Sequence, residues 1–255
     1  MPEPEDLRLV LGILSSRKTA RRAEAVRRTW LAQPLPPSVE AYFLVGDPGR
    51  PSRIEGDVLL LDCGDEYEDL VYKVRAFLRF VAEQRSGAMV FKCDDDTYVH
   101  LPNLLRAARR VQGGEGGGYC GNVLRLASSE MEARARGWHR EKVSDPSFGQ
   151  NYEGRLSVWC DGGTGYFLLP VAQRALLGIA SWRPVGYVGE DVHTANLLFE
   201  AGITPRQLEG LRPVAGGAEL DQIDGREISL HPVAAEAMAA VHAASIEARL
   251  QSDVA

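Results

Sequence analysis

The chain has 255 residues, 45% hydrophobic and 25% charged, enough for a globular protein with a sizeable core. Its 29 basic and 35 acidic side chains give a net charge of −6, which excludes a surface built as a whole to grip nucleic acid. No apolar run approaches the roughly 18 residues that a membrane-spanning helix needs, so no integral membrane segment is expected. Met1–Asp6 is acidic and carries two prolines, unlike the basic and then apolar start of a secretory signal. Cys63, Cys93, Cys120 and Cys160 form no CxxC pair and read as reduced thiols. No Asn-x-Ser/Thr sequon occurs. These features predict a cytoplasmic chain, with peripheral membrane association left open.

Apolar runs alternate with helical patterns, the mark of an α/β architecture. Leu7–Leu14 predicts a buried first strand, and Ser15–Thr19 a polar turn. Ala20–Leu31 has helical spacing, with Ala23, Val26 and Trp30 on one side and prolines after it. Val39–Val45 and Asp57–Asp62 predict two further strands. Tyr67–Arg85 is the clearest helix: Tyr67, Leu70, Val71, Val74, Phe77, Leu78 and Val81 fall on one face. Ala88–Phe91 is a short apolar strand running straight into Asp94, Asp95 and Asp96, and a helix follows at Pro102–Val111. Gly113–Gly118 reads as a flexible connection.

The second half is less regular. Tyr119–Leu126 predicts a strand, and the polar stretch Ala127–Tyr152 a substrate-facing insertion. Leu156–Cys160, the cluster Gly162–Gly165 and Tyr166–Leu169 read as strand, turn and strand. Val171–Ile179 and Asp191–Ala201 predict helices, and Arg212–Arg226 a loop. Ile228–Leu230 predicts a short strand ending at His231, with Pro232 opening a last helix. One continuous domain over 1–255 is expected, with functional halves at 7–112 and 119–231 and a C-terminal helix over 232–255.

The strongest chemical signal is the acidic triplet. Three adjacent carboxylates repel one another, and a divalent cation offsets that repulsion. Loops at the C-terminal ends of parallel strands line the ligand crevice of an open α/β sheet. A solvated acidic loop is the plain alternative. A phosphatase-type aspartate nucleophile fits less well, because Tyr98 stands where that motif needs Thr or Val.

Four segments in order resemble the β-1,3-glycosyltransferases, the family of the β-1,3-galactosyltransferases and β-1,3-N-acetylglucosaminyltransferases, related to Fringe. Arg22–Trp30 is similar to R-x-x-A-[IV]-R-x-T-W, and Asp65–Lys73 to D-x-Y-x-N-L-x-x-K. Lys92–Val99 is similar to K-x-D-D-D-[ST]-[FY]-V. Gly162–Leu169 and Gly189–Val192 complete the set. The chain departs from the pattern at Asp69, Val71 and Ala23, where the family commonly has Asn, Thr and a second Arg. The resemblance implies a GT-A fold, with a Rossmann-like nucleotide-sugar half whose mostly parallel central sheet continues into an acceptor-binding half. It also implies a UDP-sugar donor, Mn²⁺ (or Mg²⁺), and inverting transfer of galactose or N-acetylglucosamine to a glycan or glycoconjugate hydroxyl, in a β-1,3 linkage. A non-catalytic nucleotide-sugar-binding protein of the same fold is the alternative.

Roles follow from the chemistry of such a transfer. Asp96 and Asp94 are the expected metal carboxylates, and Asp94 or Asp95 the ribose or metal-water contacts. His231 lies where the resemblance places a metal-ligating histidine. Asp191 matches the family's base position, with Glu190 beside it; the plain alternative is that both acids begin a helix. Ser15, Ser16 and Arg17 are expected at the uridine, and Arg22 at the diphosphate. Arg27 is expected to reach the diphosphate or hold an acid of the core, and Lys73 to lie near the donor. Gly163 sits in a turn that lets backbone approach a sugar, with Asp161 ready to bind hydroxyls. Trp138, His139, Trp159 and Trp182 are candidates for stacking on an acceptor ring.

Overall fold

The computed structural model describes residues 7–115, 117–129, 131–132, 136–137, 139–145, 152, 154–155, 158–183, 189–214 and 223–252. In chain order the strands are β1 (Leu9–Leu14), β2 (Val39–Gly46), β3 (Arg53–Glu55), β4 (Val58–Leu61), β5 (Met89–Asp94), β6 (Tyr98–Val99) and β7 (Tyr119–Gly121). They continue with β8 (Val123–Arg125), β9 (Val158–Cys160), β10 (Tyr166–Leu168), β11 (Arg206–Gln207), β12 (Leu211–Pro213) and β13 (Ser229–His231). The α-helices are α1 (Ala20–Arg28), α2 (Leu70–Gln84), α3 (Leu101–Arg110), α4 (Pro170–Gly178), α5 (Glu190–Glu200) and α6 (Met238–Ser252).

The alternation of β1 sets the layers. Leu9, Leu11 and Ile13 point to one face, where Ala23, Val26 and Trp30 close over them with α3 and α6. Val10 and Leu14 point to the other, against Val71, Val74, Phe77 and Leu78 of α2 and residues of α4 and α5. Burial of each such Leu or Phe contributes about 1.5–3 kcal/mol. Gly12 is what lets α2 sit down on the sheet: a Cβ there would lie 2.4 Å from the Phe77 ring.

The main sheet has eight strands in the order β11-β7-β10-β5-β1-β2-β4-β3. Its heart, β4-β2-β1-β5, is parallel, with Leu14 level with Leu44 and Asp94. Strand β10 then runs antiparallel to both β5 and β7, and β3 antiparallel to β4, so the parallel centre is flanked by antiparallel strands and the whole sheet is mixed. A small sheet, β12-β13-β6, leans on the acidic loop, and β8 pairs with β9. No described helix is long and apolar enough to cross a membrane.

The α/β class and the first five buried strands and helices stand as the sequence predicts, with four corrections. The two segments flanking the glycine cluster do not pair: β9 joins β8, while β10 inserts between β5 and β7. The predicted strand at 119–126 breaks at Asn122 into β7 and β8, which serve different sheets. The predicted loop after Leu211 begins with β12, parallel to β13. The last helix starts at Met238, not Pro232: residues 232–234 stay irregular, with Val233 N–H donating to the Asp96 carbonyl at 2.7 Å, and a turn over 235–237 leads into the helix. Part of the insertion at 127–152, including Trp138 and residues 146–151, lies outside the described residues.

Candidate active site

The strand order turns at β1, with β2 on one side and β5 on the other, so the C-terminal ends of β1 and β5 open a crevice. Asp95 lies on its floor. Its N–H donates to the Leu14 carbonyl (3.0 Å). Its carboxylate accepts from Ser15 Oγ at 2.8 Å and Thr19 Oγ1 at 2.5 Å, and Arg22 approaches to 3.4 Å. Burial raises its proton affinity, opposed by the two hydroxyls and Arg22.

The neighbouring acids are less well supplied. Asp94 Oδ1 has Lys92 Nζ at 3.0 Å. Asp96 Oδ2 has Arg22 at 3.0 Å. Asp96 Oδ1 is buried without an aligned hydrogen bond; His231 Nδ1 stands 3.3 Å away. One ligand atom from each of Asp94, Asp96 and His231 falls within 4.8 Å of the others. Two carboxylates with one imidazole, and one oxygen left orphaned, fit a divalent cation of the Mn²⁺ or Mg²⁺ kind. Burial works to raise the Asp96 carboxyl, but His231 and Arg22 outweigh it and hold it below the usual range. For His231 burial works downward, and Asp96 and Asp94 outweigh it to raise the ring.

The loop is held from behind. Trp30, just past α1, donates its indole N–H to the Thr97 carbonyl at 3.1 Å. Thr97 Oγ1 donates to the Gly163 carbonyl at 2.7 Å and lies 3.3 Å from His231 Nδ1. Gly163 is a cradle for that ring, since a Cβ there would meet His231 Nε2 at 2.2 Å.

The other side of the site is the start of α5. Gly189 is its N-cap, and Glu190 and Asp191 fill its first turn, where helix N–H groups favour negative charge. Asp191 accepts from Gly162 N–H at 3.0 Å and Val192 N–H at 2.8 Å. Burial, then the charges of Glu190 and Asp161, push its pKa up to about 7. Glu190 is only 6% exposed and faces inward. Its Oε1 accepts from Tyr166 OH at 2.6 Å and Thr194 Oγ1 at 2.8 Å, and its Oε2 lies 3.0 Å from Lys92 Nζ. Glu190 is thus held by three side chains, while Asp191 is held by backbone N–H groups alone.

The remaining predicted residues divide. Ser16 caps the 3-10 turn Arg17–Thr19, its N–H donating to Thr19 Oγ1 at 3.0 Å. Arg17 lies on the rim, donating to the Gly46 carbonyl (2.7 Å) and Asp47 (2.8 Å). Lys73 is buried and donates to the Ser15 carbonyl (2.7 Å) and Asp65 (2.8 Å), bracing the loop from below. Arg27 is not brought to the cluster: it makes a two-point contact with Asp57 at 2.7 and 2.9 Å and lies over the Phe43 ring. Trp159 and Trp182 are 2% and 1% exposed, so both are core residues and neither can stack on an acceptor. His139 is exposed, edge-on to Tyr67. Lys92 and Thr97 received no role from sequence reasoning. A lysine inside an otherwise apolar strand was the available signal for the first; the second has none, since its contacts are long-range.

The family profile described as Galactosyltransferase matches residues 20–208. That span includes Asp94–Asp96 and Glu190–Asp191 and leaves Ser15–Arg17 and His231 outside. The chain is 36% identical to beta-1,3-galactosyltransferase 6 of Mus musculus over 111 residues, 38% of this chain and 34% of that protein. It is 25% identical to beta-1,3-galactosyltransferase 4 of Homo sapiens over 241 residues, 78% of this chain and 62% of that protein. A hydroxyproline O-galactosyltransferase of Arabidopsis thaliana is 29% identical over 110 residues, 39% of this chain and 16% of that protein. The chain thus spans less than two thirds of the length of each.

Proposed function

Because the chain belongs to the galactosyltransferase family, we propose that it moves a hexose, galactose first, from a UDP-sugar to a hydroxyl of a glycan or glycoconjugate, with inversion and in a β-1,3 linkage. The observation that carries this reading is the convergence of Asp94, Asp96 and His231 around an Asp96 oxygen that has no hydrogen bond, beside Asp191, whose pKa is pushed up to about 7. Residues 7–112 supply the nucleotide-sugar side and 119–231 the acceptor side.

Asp94, Asp96 and His231 would hold Mn²⁺ or Mg²⁺, which when bound offsets the charge developing on the departing diphosphate. Arg22, 46% exposed and already beside Asp96, adds a fixed positive charge on the same side. Ser15, Ser16 and Arg17 edge the nucleotide pocket above the braced Asp95 floor. Asp191 takes the proton of the attacking hydroxyl. A proton affinity near neutrality suits it to that work, being high enough to accept a proton and low enough to be substantially ionised. The N–H groups of Gly162 and Val192 fix its carboxylate, and attack from the face opposite the diphosphate inverts the anomeric carbon.

The test is release of UDP from UDP-galactose and UDP-N-acetylglucosamine with Mn²⁺, against acceptors that include β-galactosides, β-xylosides and a hydroxyproline peptide, with product linkage read by NMR. Metal-dependent release from UDP-galactose is the expected result. Tight UDP binding with no release from any donor would leave the non-catalytic binding protein standing instead.

A further inference from the structure

Lys92 is a buried charge that no step above uses. It stands in β5 between Phe91 and Cys93, with its side chain 3% exposed. An ammonium enclosed in this way costs several kcal/mol unless it is well paired. Here it has three partners from three segments: Asp94 Oδ1 at 3.0 Å, Glu190 Oε2 at 3.0 Å, and the Gly162 carbonyl at 3.1 Å. Burial alone would lower its pKa, but Asp94, Glu190 and Asp191 more than reverse this and keep it charged.

Those segments are the ones that carry the site. Asp94 ends the strand that leads into the acidic loop. Glu190 precedes Asp191 in the first turn of α5. Gly162 joins them: its carbonyl accepts from Lys92 while its N–H donates to Asp191 Oδ2. The fit has no slack, since a Cβ at Gly162 would stand 3.0 Å from Asp191 Cβ and 3.1 Å from Lys92 Nζ.

We propose that Lys92 is a positioning residue for the transfer, its ammonium tying the donor-side carboxylate of Asp94 to the start of α5 so that Asp191 meets the acceptor hydroxyl in line with the departing diphosphate. This rests on the galactosyl-transfer reading. The rival account is that Lys92 only balances buried charge for folding.

The experiment uses the full chain with UDP-galactose, Mn²⁺ and an acceptor that the wild type uses. Lys92→Met is expected to lower kcat about 100-fold, the effect of roughly an ångström of misplacement, with KM for UDP-galactose changed less than about threefold. Lys92→Met/Glu190→Gln removes one charge of each sign and covers the case in which the single variant does not fold. It is expected to melt with the wild type, yet to turn over at least about tenfold more slowly than Glu190→Gln alone. A double variant as fast as Glu190→Gln alone overturns the proposal, and so does a folded Lys92→Met with unchanged kcat. A wild type that releases no UDP from any sugar donor sinks the transfer reading itself, and this inference with it.

Discussion

Two neighbouring regions use the same side chain in opposite ways. On the crevice floor, Asp95 is 3% exposed and is met by Ser15, Thr19 and Arg22. One residue along, Asp96 keeps an oxygen without a hydrogen bond, and across the crevice Asp191, held only by backbone N–H groups, has its pKa pushed up to about 7. A carboxylate whose internal partners are complete holds the fold together. One left short keeps its capacity for something that arrives. Sequence adjacency does not decide the matter; what differs is the number of donors that the surrounding elements aim at each oxygen.

The sharpest break of that contrast is Asp191→Asn, which keeps the shape and removes the base. Transfer should fall about 10³-fold, within the range for losing a general base, while calorimetry finds UDP–Mn²⁺ affinity unchanged. Survival of turnover within tenfold would move the base to another group. Asp96→Ala should weaken Mn²⁺-dependent UDP binding about 100-fold or more, since even outer partners of a metal site are worth 10–100-fold. Gly163→Ala places a methyl on the His231 ring and should lower Mn²⁺ affinity about tenfold by the same measure, with the secondary structure intact by circular dichroism. The working base must be ionised, so the rate should drop about tenfold per pH unit below 7 and level off above it; a limb near pH 4 would detach Asp191 from the role. At the small end, Arg27→Ala should cost about 0.2–1 kcal/mol of stability, the usual worth of such a surface pair, and leave UDP release untouched.

The legible part of the molecule is the part built from local signals. The apolar run before the acidic triplet predicts β5, and its position at a strand end predicts a ligand crevice. The periodic faces of Val74, Phe77 and Val81 predict α2 and the side it buries. Sequence alone did not show that β10 inserts antiparallel between β5 and β7, because strand partners are chosen by burial across the whole sheet. The same holds for Lys73 and Trp159. An ammonium named as a donor contact turns out to brace a backbone carbonyl, and an indole named as a sugar platform is buried in the core. Residue type and motif singled out Asp94, Asp96 and His231, which the fold brings together. Which of the remaining polar groups face ligand and which face protein is settled by tertiary packing.

The hydrogen bond from the Trp30 indole to the carbonyl of Thr97 spans 67 positions of sequence. It makes the tryptophan that ends the first helical motif a strut for the acidic loop, so the two motifs are one mechanical part. A substitution at this distant indole would therefore be felt as slack in the turn that carries Asp94, Asp95 and Asp96.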